Sequence, residues 1–70
     1  MMPLTMARVG ERNAIKKVGG QAETRQHLEN LGFVPGAPIT VITEIGGNVI
    51  VNVRESRIAI SREMANKILV

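Results

Sequence analysis

The sequence predicts a mainly β protein: a small β-barrel of about five strands with one α-helix and a short helical turn. Three observations carry that expectation. The chain has 70 residues, room for a single domain spanning 1–70 and no second core. Its longest alternating apolar stretch, Ile39 to Val53, is interrupted by Gly46-Gly47-Asn48 and reads as a β-hairpin. Only Gln21 to Leu31 has a helical repeat closed by a glycine, Gly32.

Met1 to Arg8 is a lead-in, and Gly10 marks a bend. Glu11 to Val18 reads as a first strand. Its apolar residues Ala14, Ile15 and Val18 break period two, which predicts a bulge. Gly19-Gly20 ends it. In the helix, Thr24, Leu28 and Leu31 recur at i, i+4 and i+7, a narrow buried stripe. Val34-Pro35-Gly36-Ala37 has proline and glycine where a type II turn requires them.

Strands Ile39 to Ile45 and Val49 to Arg54 form the hairpin. With uninterrupted pairing, a three-residue loop, Gly46-Gly47-Asn48, places Val49, Val51 and Val53 opposite Ile45, Thr43 and Val41. That register gathers the apolar residues on one face, whereas a two-residue loop at Gly46-Gly47 sets the valines on the face of Glu44. Glu55-Ser56 turns into strand Arg57 to Ile60. Ser61 is placed to cap a helical turn, Arg62 to Asn66, and Ile68 to Val70 closes as a last strand.

The composition excludes whole classes of function. There is no Cys and no Asp, His27 is the one histidine, and Phe33 is the one aromatic residue. Disulfides, thiolate metal sites, a two-histidine triad and a Ser-His-Asp triad are therefore out of reach of a single chain. Lys and Arg total 9 against 6 Glu, a net +3 without a basic arm. No apolar run exceeds three residues, so neither a membrane span nor a signal peptide is expected, and the expected location is cytoplasmic.

The pattern resembles a known family. Gly10, Ile15, Arg25, Leu28, Leu31-Gly32-Phe33-Val34-Pro35-Gly36, the alternation from Ile39 to Val53, Ile58-Ala59-Ile60, Arg62, Ala65, Ile68 and Val70 together resemble the ferrous iron transport protein A (FeoA) family. The ordered combination is far more specific than the Leu-Gly-x-x-Pro-Gly segment alone. Two features depart from the family pattern: the short connection Glu44-Ile45-Gly46-Gly47-Asn48, and Ser61 where a basic residue is often found. The resemblance implies an SH3-like barrel and a non-catalytic accessory role in ferrous iron uptake. It also implies a partner, the inner-membrane permease that carries a cytoplasmic GTPase domain. The same module forms the last domain of iron- and manganese-dependent repressors, so metal-responsive regulation is the alternative, acting through carboxylates such as Glu23 and Glu29.

Several residue groups are candidate sites. Glu23 and His27 share a helix face, but two ligands from one turn fall short of the octahedral set Fe(II) prefers. Met1, Met2, Met6 and Met64 read as packing rather than as soft ligands. Lys16-Lys17 and Arg54 with Arg57 could touch phosphates, yet base stacking lacks its rings, and Phe33 reads as a structural plug. Arg54, Arg57 and Arg62 are candidates for a GTPase-stimulating arginine, against an ordinary surface role. In the chosen register the outer hairpin face sets Thr40, Ile42 and Glu44 against Arg54, Asn52 and Ile50, with Ile42 diagonal to Ile50.

The expected partner-binding residues are therefore Ile42, Ile50, Arg54 and Arg57, then Arg25 and Leu28. No catalytic residue, resident metal or cofactor is expected, nor nucleic-acid binding or direct membrane insertion. Open barrel edges leave weak pairing between copies available.

Overall fold

The computed structural model describes every residue from Met1 to Val70. A 3-10 turn at Leu4–Met6 is followed by strands β1 (Arg12–Ala14) and β2 (Lys17–Val18) and by helix α1 (Ala22–Asn30). Strands β3 (Pro38–Ile45), β4 (Asn48–Val53) and β5 (Ser56–Ser61) come next, then the single turn α2 (Arg62–Ala65) and strand β6 (Ile68–Leu69). The larger sheet is antiparallel in the order β1-β3-β4-β5, and β2 pairs with β6 in a second sheet. No helix is long and apolar enough to cross a membrane.

There are six strands because the expected first strand breaks rather than bulges. Ile15 is buried at the break, where its N–H donates to the Ala37 carbonyl at 3.0 Å and its carbonyl accepts from the Gly36 N–H at 2.7 Å. The next residue, Lys16, donates to the Leu69 carbonyl at 2.8 Å. The chain thus passes from the first sheet to the second within one residue, and the disturbed alternation of Ala14, Ile15 and Val18 records that change of partner.

The end of α1 follows from its sequence. Gly32, at φ 105°, and Phe33 donate to the carbonyls of Glu29 and Leu28 at 2.9 and 3.0 Å, a Schellman cap. Such a cap draws Phe33 towards Leu28, and both side chains are buried. The turn Val34–Ala37 closes with an Ala37 N–H to Val34 carbonyl bond of 3.0 Å and Gly36 at φ 89°, as a type II turn requires. Leu31 corrects the expected helix stripe. As the cap residue it still bonds back to the His27 carbonyl at 3.2 Å but stands 37% exposed, outside the core.

The hairpin corrects the expected loop. Ile45 pairs with Asn48 across a two-residue turn, and Gly46 and Gly47 have φ of 52° and 83°. Positive φ at both central residues is the type I′ geometry that matches strand twist, and glycine adopts it without a steric penalty. Beyond Thr43, which faces Ile50, the register shifts, and Val41 faces Val51 while Ile39 faces Val53. Ile42 is the extra residue of that bulge. One inserted residue brings Val41 and Ile39, in place of Ile42 and Thr40, opposite the inward-facing Val51 and Val53, which uninterrupted pairing could achieve only with a longer loop.

Ser61 caps α2 by accepting from the Met64 N–H at 3.1 Å. The chain ends close the barrel: Met2 and Val70 exchange backbone bonds of 2.9 and 2.8 Å, and Pro3 bridges to Leu69. Leu4, read in sequence as lead-in, joins Ile15, Leu28, Phe33, Val51, Ile68 and others in one core cluster of 15 residues. Asn13, in the inward row beside Ile39 and Val53, keeps its Nδ2 buried without a partner.

Candidate functional site

The four-stranded sheet has one face in the core and one outside. Alternation with the buried residues Ile39, Val41, Val51 and Val53 sends Thr40 and Asn52 outward. Residues directly opposite one another share a face. Arg12 lies opposite Thr40, Thr40 opposite Asn52, and Asn52 opposite Arg57, so one polar row crosses all four strands with an arginine at each end. The next outward row is Thr43, Ile50 and Ala59.

Beside the polar row, Val53 pairs with Ser56 across the two-residue turn Arg54-Glu55. Arg54 has φ 56°, the one non-glycine residue in the left-handed region. Its N–H donates to the Pro38 carbonyl at 3.2 Å, tying the turn to the start of β3. The result is an open groove of about 240 Å³ lined by Arg12, Pro38, Thr40, Asn52, Arg54 and Glu55, none of them hydrophobic.

The cations of this face have no ion-pair partner. The two salt bridges of the fold, Arg62 to Glu44 at 2.8 Å and Lys67 to Glu63 at 3.9 Å, lie elsewhere. Arg62, a candidate GTPase-stimulating arginine, is held against the end of β3 by that first pair. Both of its side chains are about half exposed, so replacing Glu44 with alanine should cost less than about 1 kcal/mol in thermal unfolding, and the loss should shrink further in high salt.

The structure sorts the expected contact residues. Arg54 and Arg57 reach the same outer face, both exposed, and Ile50 lies there half-buried. Ile42 is corrected: it is the half-buried bulge residue and does not stand diagonal to Ile50, whose cross-strand partner is Thr43. Glu44 is corrected too, because it faces Val49 rather than joining the outer row. Leu28 is corrected outright. At 0% exposure it cannot meet a partner without α1 leaving the core. Arg25 is exposed on α1 and stands apart from the sheet. Arg12 was missed, since its place depends on the β1–β3 register; the signal available was its position two residues before Ala14 on an expected strand.

Glu23, His27 and Glu29 are exposed on α1, and nowhere do three or more His, Cys, Asp or Glu side chains come together. Phe33 is fully buried, so the fold offers no ring on which a base or a proline-rich peptide could stack.

These features define a small SH3-like barrel whose outward sheet face is polar and cationic. A family model, the FeoA domain, matches residues 2–70, and the chain belongs to the FeoA family of ferrous iron transport accessory proteins. It is 37% identical over 70 residues to a protein of Methanocaldococcus jannaschii named Fe(2+) transport protein A, covering 100% of this chain and 85% of that one. The solution structure of a FeoA protein from Chlorobium tepidum superimposes with a TM-score of 0.88 at 27% identity, covering 97% of this chain and 67% of that chain. FeoA of Stenotrophomonas maltophilia complexed with zinc, described as a unique procaryotic SH3 domain protein, gives a TM-score of 0.86 over 100% of this chain and 89% of that one. At 21% identity that last likeness is one of fold.

Proposed function

We propose that residues 1–70 act as one non-catalytic docking module in the cytoplasm, binding the GTPase portion of a membrane ferrous iron permease and modulating it. Family membership supports the transport role. The observation that carries the docking role is the outer face of the sheet. Arg54 and Arg57 stand there without ion-pair partners, and the row of Arg57 neighbours the row that holds half-buried Ile50. Unpaired surface charge beside a partly apolar row suits the polar rim of a transient protein interface. Arg25 on α1 is a secondary contact, and Leu28 has no part in it.

The test is capture of the permease's GTPase portion by the wild-type chain and by Arg54→Glu/Arg57→Glu. Both residues are exposed, so the variant should keep its circular dichroism spectrum and lose affinity by about tenfold or more. A folded variant that binds as well as wild type places the contact elsewhere.

A further inference from the structure

The groove between Arg12 and Arg54 has a chemistry that names its ligand. We infer that it holds an extended acidic peptide segment of a protein partner, with glutamate or aspartate side chains on the two guanidinium groups and the peptide backbone on Asn52 and Thr40. This rests on the docking role proposed above and specifies what is docked.

Four observations converge. Arg12 and Arg54 line the groove from different elements, β1 and the β4–β5 turn, and neither has an acidic partner within salt-bridge distance. Arginine is the side chain whose planar fork binds carboxylates in bidentate fashion. Between them lie Thr40 and Asn52, paired across β3 and β4 and both facing outward. An asparagine amide offers donors and an acceptor together, the complement of a peptide unit. The groove is open and about 240 Å³, room for a few side chains of an extended strand rather than for an enclosed metabolite.

Glu55 decides between anions. It lines the same groove, so a compact dianion such as phosphate would sit beside a like charge. Spaced single carboxylates avoid it, and its oxygens can accept from a peptide N–H. Nucleic acid is disfavoured by the absence of an exposed ring, Phe33 being fully buried. Arg54 adds an independent sign. Its φ of 56° is a conformation that glycine or asparagine adopts more readily, and strained backbone of this kind clusters at ligand-holding turns.

The experiment titrates the isotopically labelled full chain with a capped octapeptide of alternating Glu and Ser. Parallel titrations use the same peptide with Gln for Glu, inorganic phosphate, and a single-stranded oligonucleotide. The Glu peptide should shift the amides of Thr40, Asn52 and Arg54 and should weaken several-fold between 50 and 200 mM salt, as expected when exposed charges are screened within about 10 Å. The Gln peptide should bind at least about tenfold more weakly, in keeping with the strength of charge-assisted bonds.

Arg12→Gln should reduce affinity for the Glu peptide by about fivefold or more, and so should Arg54→Gly, which relieves the backbone while removing the guanidinium. Arg54→Gly should also melt higher than wild type, so that its loss of binding cannot come from unfolding. Equal binding of the Gln peptide, a phosphate response at the same amides with comparable affinity, or tighter binding of the oligonucleotide each overturns the inference. So does full binding by both arginine variants. Capture of the permease's GTPase portion separates the two readings: capture unaffected by Arg12→Gln and Arg54→Gly ends the peptide groove and leaves docking standing. Peptide binding without capture supports the groove and ends the proposed partner.

Discussion

Phe33→Ala is expected to leave the chain mostly unfolded at room temperature. Removing a buried phenylalanine costs about 3–5 kcal/mol. A core of this size leaves a net stability of about 3–5 kcal/mol, so one substitution consumes most or all of it. Here the cost belongs at the upper end, because the site cannot close around the gap. The residue before Phe33 is fixed by the left-handed cap at Gly32, and its own N–H is held by the Leu28 carbonyl at 3.0 Å. The type II turn starting at Val34 follows at once, locked by the 3.0 Å bond from the Ala37 N–H. Backbone held on both sides does not collapse inward, and the cavity term then adds to the lost transfer energy. Amide chemical-shift dispersion reads the outcome directly: a collapsed proton spectrum for Phe33→Ala is the expected result. A variant that keeps native dispersion and a wild-type urea midpoint contradicts the plug role.

What the sequence made legible was mostly local chemistry. Gly32 after an apolar helix end, Pro35-Gly36 in a turn and Ser61 before a helical turn each state a backbone requirement within a few residues, and each is met in the fold, whereas Gly46-Gly47 marked the hairpin but not its loop length, which is two residues rather than the expected three. The misreadings share another cause. The bulge at Ile42 leaves no local mark, because Val41-Ile42-Thr43 reads equally well as unbroken strand, and only pairing with Val51 and Ile50 reveals the inserted residue. Leu4 becomes core because the chain ends pair with each other, Met2 with Val70, a contact spanning the whole sequence. The site divides in the same way. Arg54 and Arg57 flank a turn visible in the sequence, whereas Arg12 joins them through the register of β1 on β3, which no spacing within residues 1–20 encodes.

Leu28 shows why a helix stripe alone does not settle a role, and its replacement is the other large effect expected. Leu28→Ala should destabilise the fold by about 3 kcal/mol, within the usual range of about 2–5 for a fully buried leucine. Leu31→Ala, three residues on and 37% exposed, should change stability by less than about 0.5 kcal/mol. Urea midpoints of the two variants separate a core residue from a contact residue, since a docking leucine would show the opposite order and leave stability intact. The size of the Leu28 effect follows from how little else holds the helix. Its nine residues are too few to be stable alone in water, where helices shorter than about 12–15 residues are marginal. Gln21 at its N-cap makes no side-chain capping bond. At the other end the Schellman cap works through the Leu28 carbonyl. Leu28 is also the one buried side chain of α1, so truncating it removes the anchor of the helix and the setting of Phe33 together. The two losses should therefore be strongly non-additive in the double variant, as expected for residues packed in one cluster.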